Sequence, residues 1–425
     1  MPWRSSLLHT LAEKILLAHS DVDELRPGDV VTVRCDVVMA NDVSGPVAFR
    51  AMERMGATRV FDPERVVMVA DHFVPAKDAR SAELQRRLET WSREQGVAFY
   101  GQGRGGIEHT LLCEEGWVTP GSVIAGGDSH TCTYGALGSF GTGLGSTDIA
   151  SCLALGSFWQ QVPETIAVEV DGSPGEYVTG KDVILAVLAE IGVGGGTNAV
   201  LEFRGPGAEA LSLDERLAVA NMAVEAGAET GIFPADESVR QYLDGRARWE
   251  WRPERSDDGA ELRQRLSIEL SSLEPLVALP HLPGNVRTVS EAAGVRVDQV
   301  YIGNCANGTL TDLRQAASIL AGRSVDPGTR AIVVPATQAI WREAAAEGLL
   351  DTFVEAGVMV STPTCGACFG GSNGVLAAGE TAVATTNRNF RGRMGSPEAQ
   401  VYLANAWVAA AAAVAGELVH PKEIA

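Results

Sequence analysis

The segment QVYIGNCANGTLTDLR, residues 299–314, carries the pattern that decides the fold of this chain. An apolar, β-branched run comes first, and Cys305 follows it directly, with Gly303 and Gly308 on either side. Asp312 then stands near the start of a stretch with helical spacing. Short apolar runs bounded by turn residues are typical of buried strands in parallel sheets. The segment therefore predicts a strand, a cysteine-bearing loop and a helix.

The same alternation of apolar runs and helical stretches extends along the 425 residues. Strands are predicted at residues 30–33, 66–69, 122–125, 166–170, 297–302, 331–334 and 358–361, and helices at 79–95, 181–191 and 336–346. A glycine-rich region ends near residues 162–165, and a charged, then proline-broken stretch covers residues 245–284. We therefore expect α/β domains with buried parallel strands, divided into residues 1–164, 165–283 and 284–425.

The composition excludes several classes of protein. The formal net charge of −20 repels phosphates and anionic lipid, so neither nucleic acid nor a membrane is expected as the principal partner. The seven cysteines are irregularly spaced, which indicates free thiols in a reducing compartment. Glu13 and Lys14 interrupt the apolar N-terminal stretch, so we expect no signal peptide and a cytoplasmic location.

Two further cysteines, Cys365 and Cys368, form a CxxC motif within STPTCGACFGG. A thioredoxin-like dithiol would lie early in a small domain, and a structural zinc site would need a second ligand pair. Cys305 alone would be typical of a buried core thiol. Together the three thiols indicate an iron–sulfur cluster. Because such clusters usually have four cysteine ligands, three would leave one iron open to substrate.

The first third of the chain holds histidines next to carboxylates. Asp71 and His72 follow one predicted strand, Asp128-Ser129-His130 follows another, and His109 lies in GGIEHTLL. Sites in α/β proteins lie at the carboxyl ends of parallel strands. A carboxylate partner can hold an imidazole protonated and ready to deliver a proton. Each histidine alone would more often be structural, but their shared position favours an acid–base site.

Three arginines stand within NRNFRGR, residues 387–393. Guanidinium groups bind carboxylates through two parallel hydrogen bonds, so an organic di- or triacid is the expected ligand. Without other site features, the segment would be interpreted as a solvated basic turn.

GQGRGG, residues 101–106, satisfies the GxGxxG pattern after a predicted strand, and Asp128 lies about 20 residues further on. This spacing keeps a nicotinamide-dependent oxidoreductase open as an alternative. The residues that follow contain no clear capped helix start, which weighs against it.

Taken in order, these motifs resemble the aconitase superfamily, specifically the large subunits of the isopropylmalate dehydratase and homoaconitase group. The resemblance covers nearly the whole chain, through TLAEKIL, DVVMANDVSGP, DHFVPAKD, GGDSHTCTYGALG, VLEFRGPG, IGNCANG, PTCGACFGG and NRNFRGRMG. It implies three α/β/α domains converging on a [4Fe–4S] cluster. Cys305, Cys365 and Cys368 would hold this cluster, and the iron without a cysteine ligand would bind the substrate.

The resemblance also implies roles for individual side chains. His72 would protonate the departing hydroxyl. The carboxylate partners would be Asp71 for His72, Asp128 for His109 and Glu202 for His130. The positions that would line the substrate pocket are Asn41, Asp42, Ser129, Asn198, Asn387, Arg388 and Arg393. The sequence departs from the family pattern at Asn304, Ala306 and Ala367, which flank the cysteines without replacing a ligand.

The implied activity is that of a hydro-lyase, which moves a hydroxyl between adjacent carbons of a hydroxy polycarboxylate by dehydration and rehydration. Removing water also requires a base for the adjacent carbon. Fused members of the family carry this base, a serine, on a C-terminal swivelling domain, whereas this sequence ends in an Ala-rich helix and a short tail. The resemblance therefore implies a separate small subunit that supplies the serine.

The substrate stays open at this point, as does a second alternative function besides the nicotinamide-dependent oxidoreductase. The substrate would be 3-isopropylmalate or of the homoaconitate/homocitrate type, with dimethylmalate and phosphonomethylmalate as further possibilities. A non-catalytic iron–sulfur sensor is the alternative, although it would not need the histidine–carboxylate motifs or the arginines.

Overall fold

The computed structural model describes residues 7–424, which form three mainly parallel sheets and a two-stranded antiparallel ribbon. The first sheet has the order β4-β3-β2-β5-β6, all parallel, and the ribbon pairs β1 with β7. Their bounds are β1 Val30–Arg34, β2 Val37–Asn41, β3 Val66–Val69, β4 Ala98–Tyr100, β5 Val123–Gly126, β6 Phe140–Gly143 and β7 Ser157–Gln161. The accompanying helices are α1 Leu11–Ala18, α2 Gly45–Arg54, α3 Ala79–Gln95, α4 Glu108–Glu114 and α5 Ser146–Leu155.

The second sheet is wholly parallel, with the order β10-β9-β8-β11. Its strands are β8 Glu164–Asp171, β9 Ala199–Arg204, β10 Thr230–Ile232 and β11 Gln264–Glu269, and its helices are α6 Gly180–Ile191, α7 Pro206–Ala210, α8 Leu213–Asn221 and α9 Glu237–Leu243. Helix α6 begins with a capping box, in which Thr179 and Asp182 satisfy each other's backbone N–H groups.

The third sheet has the order β13-β12-β18-β17-β14-β15-β16, with antiparallel pairing only where β12 meets β13 and β18. Its strands are β12 Leu276–Ala278, β13 Val286–Thr288, β14 Gln299–Gly303, β15 Arg330–Val334, β16 Met359–Val360, β17 Thr381–Ala384 and β18 Gln400–Leu403. Its helices are α10 Asn304–Asn307, α11 Leu310–Leu320, α12 Gln338–Ala346, α13 Leu349–Glu355 and α14 Ala406–Ala415.

The predicted α/β class with buried parallel strands is confirmed. Strand β3 and helix α3 have the bounds that the sequence predicts, and every residue of β3 is buried. Asp312 caps α11 together with Thr309, which confirms a helix start at that position. Within residues 7–424, no helix combines the length and apolarity needed to cross a bilayer.

The three-domain division stays a prediction, and sheet membership refines its second boundary. Strand β11 belongs to the second sheet, whereas β12 already pairs with β13 and β18 of the third. A boundary at residues 283/284 would separate β12 from its own sheet. Sheet membership therefore favours a boundary between Glu269 and Leu276.

Candidate active site

Gly303 places Cys305 at the carboxyl end of β14. Its φ of 133° and its close approach to the Val334 carbonyl leave no room for a Cβ, so the chain can turn there only with glycine. The turn leads directly into the short helix α10, which carries Cys305.

The three predicted cluster cysteines converge. Cys365 precedes, and Cys368 lies within, the 3₁₀ turn Gly366–Phe369 that follows β16, and the Cys365 N–H donates to the Asp71 carbonyl at 2.9 Å. Asn387 links the other two thiols, since Cys368 Sγ donates to its Oδ1 at 3.4 Å and its Nδ2 donates to Cys305 Sγ at 3.4 Å. The structure therefore joins the cysteine loops of the third sheet to the Asp71 loop of the first.

These thiols fit a cationic inorganic group better than they fit a dry core. Burial, followed by the neighbouring Cys368, holds the pKa of Cys305 well above the ordinary thiol value. Asn221 Nδ2 donates to Cys305 Sγ at 3.2 Å, in addition to the contact from Asn387. A neutral thiol is a weak acceptor, whereas a thiolate bound to metal accepts such N–H groups well.

His72 is held by carboxylates on several sides. Its Nδ1 lies 2.7 Å from Asp71 Oδ1, its Nε2 lies 3.7 Å from Asp128 Oδ2, and its backbone N–H donates to Asp42 Oδ1 at 3.0 Å. Burial alone would lower the pKa of His72, but the Asp71 carboxylate, with Asp42 and Asp128, raises it to about 9. The imidazole is therefore a protonated acid at neutral pH.

Asp128 joins the other two histidines. Its Oδ1 lies 3.0 Å from His109 Nε2 and 3.3 Å from His130 Nδ1, and it accepts the His130 backbone N–H at 2.8 Å. Although burial opposes ionisation, these contacts hold the pKa of Asp128 well below its ordinary value. The predicted pair of Asp128 and His109 is thus present in the structure.

The predicted partnership of Glu202 with His130 was wrong. His130 Nε2 instead lies 2.9 Å from Glu225 Oε1, in the 3₁₀ turn Ala223–Ala226 that follows α8. Glu202 lies on β9 and accepts hydrogen bonds from Ser256 Oγ at 2.9 and 2.7 Å. The reason is topological, because Glu202 is already occupied by the charged connector whereas the turn after α8 contacts the Asp128–Leu137 segment.

A cavity of about 630 Å³ opens beside these groups. Arg388 Nε donates to Glu225 Oε1 at 2.7 Å, so this carboxylate contacts both His130 and an arginine. Arg393 Nε is buried and has no hydrogen-bond partner among residues 7–424. The residues that line the cavity are Val193, Val224, Glu225, Phe369, Arg388, Phe390, Arg391, Gly392 and Arg393.

The remaining predicted pocket residues divide into two groups. Asn41 lies at the end of β2, where its Nδ2 donates to Glu108 Oε1 at 2.9 Å, and Ser129 follows Asp128 at the site. Asn198 is exposed in a left-handed turn before β9 and is not among the residues that line the cavity. The structure does not bring Asn198 to this cavity, and its role in the pocket stays a prediction.

Sequence reasoning missed Glu108, Asn221 and Glu225. Glu108 is fully buried; burial, followed by Asp71 and Asp128, raises its pKa well above the ordinary carboxyl value. Glu108 directly precedes His109 in EHTLL, and Asn221 and Glu225 are polar residues within the otherwise apolar run ANMAVEA. That contrast is the signal that could have identified them.

The nicotinamide alternative has no geometric support. The GxGxxG loop leads to α4, but Gly106 pairs with Thr337 and the Ile107 N–H donates to the Ala336 carbonyl at 2.7 Å. A pyrophosphate would need the start of this helix to be open. Asp128, the acidic residue at the spacing that this pattern requires, already contacts two histidines.

Comparison with known proteins agrees with this geometry. The sequence model of the aconitase family (aconitate hydratase) matches residues 13–295 and 289–416. The chain is 72% identical over 416 residues to the 3-isopropylmalate dehydratase large subunit 2 of Rubrobacter xylanophilus, covering 98% of each protein. It is 51% identical to the 3-isopropylmalate dehydratase large subunit of Moorella thermoacetica, covering 98% of this chain and 99% of that protein.

A solved structure supports the fold alone. Aconitase X of Thermococcus kodakaraensis superposes with a TM-score of 0.51 at 13% identity, covering 94% of this chain and 97% of that one. The family implies an iron–sulfur cluster, and the three converging thiols fit such a group. The chain belongs to the aconitase family of hydro-lyases.

Proposed function

We propose that this chain is the large subunit of a 3-isopropylmalate dehydratase, which isomerises its substrate by dehydration and rehydration. The observation that carries the proposal is that the thiol loops, a protonated His72 and the buried, unpartnered Nε of Arg393 lie in one region beside the cavity. The substrate assignment follows the names of the relatives given above, at 72% and 51% identity. The homoaconitate type is the second candidate, because both substrates present carboxylates to the same arginines.

Cys305, Cys365 and Cys368 would hold a [4Fe–4S] cluster with one iron left without a cysteine ligand. When bound, the cluster supplies a Lewis acid that weakens the bond to the departing hydroxyl. Thiols in this role have to remain reduced, so we infer a reducing compartment, the cytoplasm, for this protein.

His72 would deliver the proton that converts the departing hydroxyl into water. Asp71 occupies Nδ1, which leaves Nε2 as the donating atom. The C–O bond breaks, a base removes a proton from the adjacent carbon, and the electron pair of that C–H bond becomes the double bond. On rehydration, water adds its hydroxyl to the other carbon and gives its proton to His72, and the base returns its proton to the carbon that lost the hydroxyl.

Two arginines would anchor the substrate carboxylates. Arg393 has an unpartnered, buried Nε, and Glu225 orients Arg388 while it contacts His130. A planar guanidinium binds a carboxylate through two hydrogen bonds and so fixes the substrate's orientation.

We further propose a small subunit of the swivelling-domain type that supplies the base serine. The relatives are named as large subunits, which implies such a partner. At the described site, the three histidines are each paired with a carboxylate and His72 is committed as the acid. Val193 and Phe390, both 37% exposed at the cavity, offer apolar surface for a partner to cover.

The test is to load the purified chain with iron and sulfide anaerobically, then to follow formation of the unsaturated product with and without the small subunit. We expect a brown protein that turns over 3-isopropylmalate only with its partner, and more efficiently than homoaconitate or dimethylmalate. Robust turnover by the large subunit alone would refute the partner assignment, and preference for another acid would refute the substrate assignment.

A further inference from the structure

Lys181 is a fully buried ammonium group that reaches from the second sheet to the cysteine loops of the third. It lies in the first turn of α6 and has no solvent exposure. Its Nζ donates to Asn307 Oδ1 at 3.2 Å and to the carbonyls of Thr385 and Thr386 at 2.9 and 2.7 Å. Asn307 ends the helix that carries Cys305.

The acceptors of this ammonium group are all neutral. Among residues 7–424, no carboxylate oxygen lies within 4 Å of Lys181 Nζ, and Asp312 is reached only through Asn307, whose Nδ2 donates to it at 3.0 Å. By contrast, Arg216 on α8 is another fully buried cation, and its Nη2 lies 2.6 Å from the Asp236 carboxylate. A buried charge without a direct ion pair is costly, so negative charge added nearby would stabilise Lys181.

The cysteine sulfurs are a further source of negative charge for Lys181, in addition to Asp312. Asn387 directly follows Thr386 in the chain and contacts both Cys305 and Cys368. Burial lowers the pKa of Lys181 to about 8, and Asp312, Cys368 and Cys305 counteract this effect. Once the thiols carry charge, they add to the attraction that Asp312 already exerts on the ammonium group.

We propose that Lys181 is a positioning residue for the iron–sulfur cluster, whose positive charge stabilises the thiolates and raises the cluster's reduction potential. This inference rests on the proposed ligation by the three cysteines. Net charge, hydrogen bonds and burial set the potential of such clusters, and a nearby cation favours the reduced, more negative state. The three hydrogen bonds also fix the two loops that carry Cys305 and Asn387.

The experiment is a potentiometric titration of the iron-loaded protein, monitored by electron paramagnetic resonance. Lys181→Gln retains an N–H donor without charge, Lys181→Met retains the volume of the side chain, and Lys181→Arg retains the charge. We expect the midpoint potential to shift negative in the first two variants and to return toward wild type in the third. Arg216→Gln removes another buried positive charge and should destabilise the fold without moving the potential.

Each outcome bears on one claim. A wild-type protein that binds no iron and sulfide would overturn the proposed function itself. An iron-loaded Gln or Met variant with the wild-type potential would overturn the role of Lys181. The role of Lys181 would also be overturned if the midpoint potential of iron-loaded Lys181→Arg shifted as far negative as that of Lys181→Gln. If Gln and Met fail to load iron while Arg and Arg216→Gln load it, the charge is required for assembly, which supports the proposal.

Discussion

The site has a histidine side, formed by His72, His109 and His130 with their carboxylates, and a cysteine side, formed by Cys305, Cys365 and Cys368. On the histidine side, every imidazole lies within 3.0 Å of a carboxylate oxygen. On the cysteine side, burial raises the pKa of Cys305 and Cys365, and the donors to sulfur are neutral amides. The difference shows that the chain supplies the charged partners of the histidines itself but does not supply a positively charged partner for the thiols. Proton delivery is preorganised, whereas the thiols still need a cation.

The largest effect should come from removing a cluster ligand. Cys305→Ser, Cys365→Ser or Cys368→Ser should each abolish the brown chromophore and all turnover, because a three-cysteine site has no spare ligand. Iron and sulfide analysis after anaerobic loading measures this directly. Cys113→Ala is the matched control, since Cys113 is a buried thiol on α4 outside this group. Equal cluster loss in the control would break the contrast between the two sides.

A change on the histidine side should spare the cluster. His72→Gln should lower kcat by about 10²–10⁴-fold, the usual contribution of general acid catalysis, with little change in KM. The visible spectrum and iron content should match wild type. Loss of iron in this variant would show that the two sides depend on each other and that His72 has a structural role.

The corrected carboxylate partner gives a paired test. Glu225 contacts both His130 and Arg388, whereas Glu202 contacts Ser256. Losing a hydrogen bond to a charged group costs about 1.5–3 kcal/mol, so Glu225→Gln should lower kcat/KM by about 10–150-fold. Glu202→Gln should retain near-wild-type kinetics. A larger loss of kcat/KM in Glu202→Gln than in Glu225→Gln would favour Glu202 as the partner of His130, as the sequence predicts.

A smaller effect is expected for substrate anchoring. Arg393→Lys keeps the charge but removes the planar fork, so KM should rise by roughly tenfold with the cluster intact. Arg265→Lys is the control, because the exposed Arg265 pairs with Glu169 on the second sheet and does not line this cavity. Similar kinetics for both variants would mean that Arg393 does not bind the substrate.

The sequence predicts the cysteine side better than the histidine side. Glycines and apolar strands mark the cysteine loops locally, and Cys305 follows β14 as expected. The partner of His130 depends on how the turn after α8 packs against Asp128–Leu137, which no local pattern records. Lys181 is similar, since a lysine in the first turn of a helix is ordinarily solvated, and only the approach of the third sheet buries it.

A second histidine–aspartate pair, outside the site, tests whether such pairing serves catalysis or the fold. His19 Nε2 lies 2.7 Å from Asp36 Oδ2. Partial burial lowers the pKa of His19, but the hydrogen bond and charge of Asp36 raise it above its ordinary value. The pKa of Asp36 is lowered by His19 in spite of burial. This pair resembles His72 with Asp71 in chemistry but not in location.

The smallest expected effect is therefore the loss of stability in His19→Gln, on the order of 1 kcal/mol, with turnover unchanged. His19 stabilises the fold fully below its unfolded pKa of about 6.5 and loses this effect as pH rises through its raised folded pKa. Asp36 contributes above its unfolded pKa of about 3.9 and loses its effect as pH falls through its lowered folded pKa. The difference in thermal midpoint between wild type and variant should thus be largest between about pH 4 and 6.5 and should shrink at higher pH. A difference that is independent of pH would show that the pair is not ionised, and lost turnover would place His19 in the catalytic machinery.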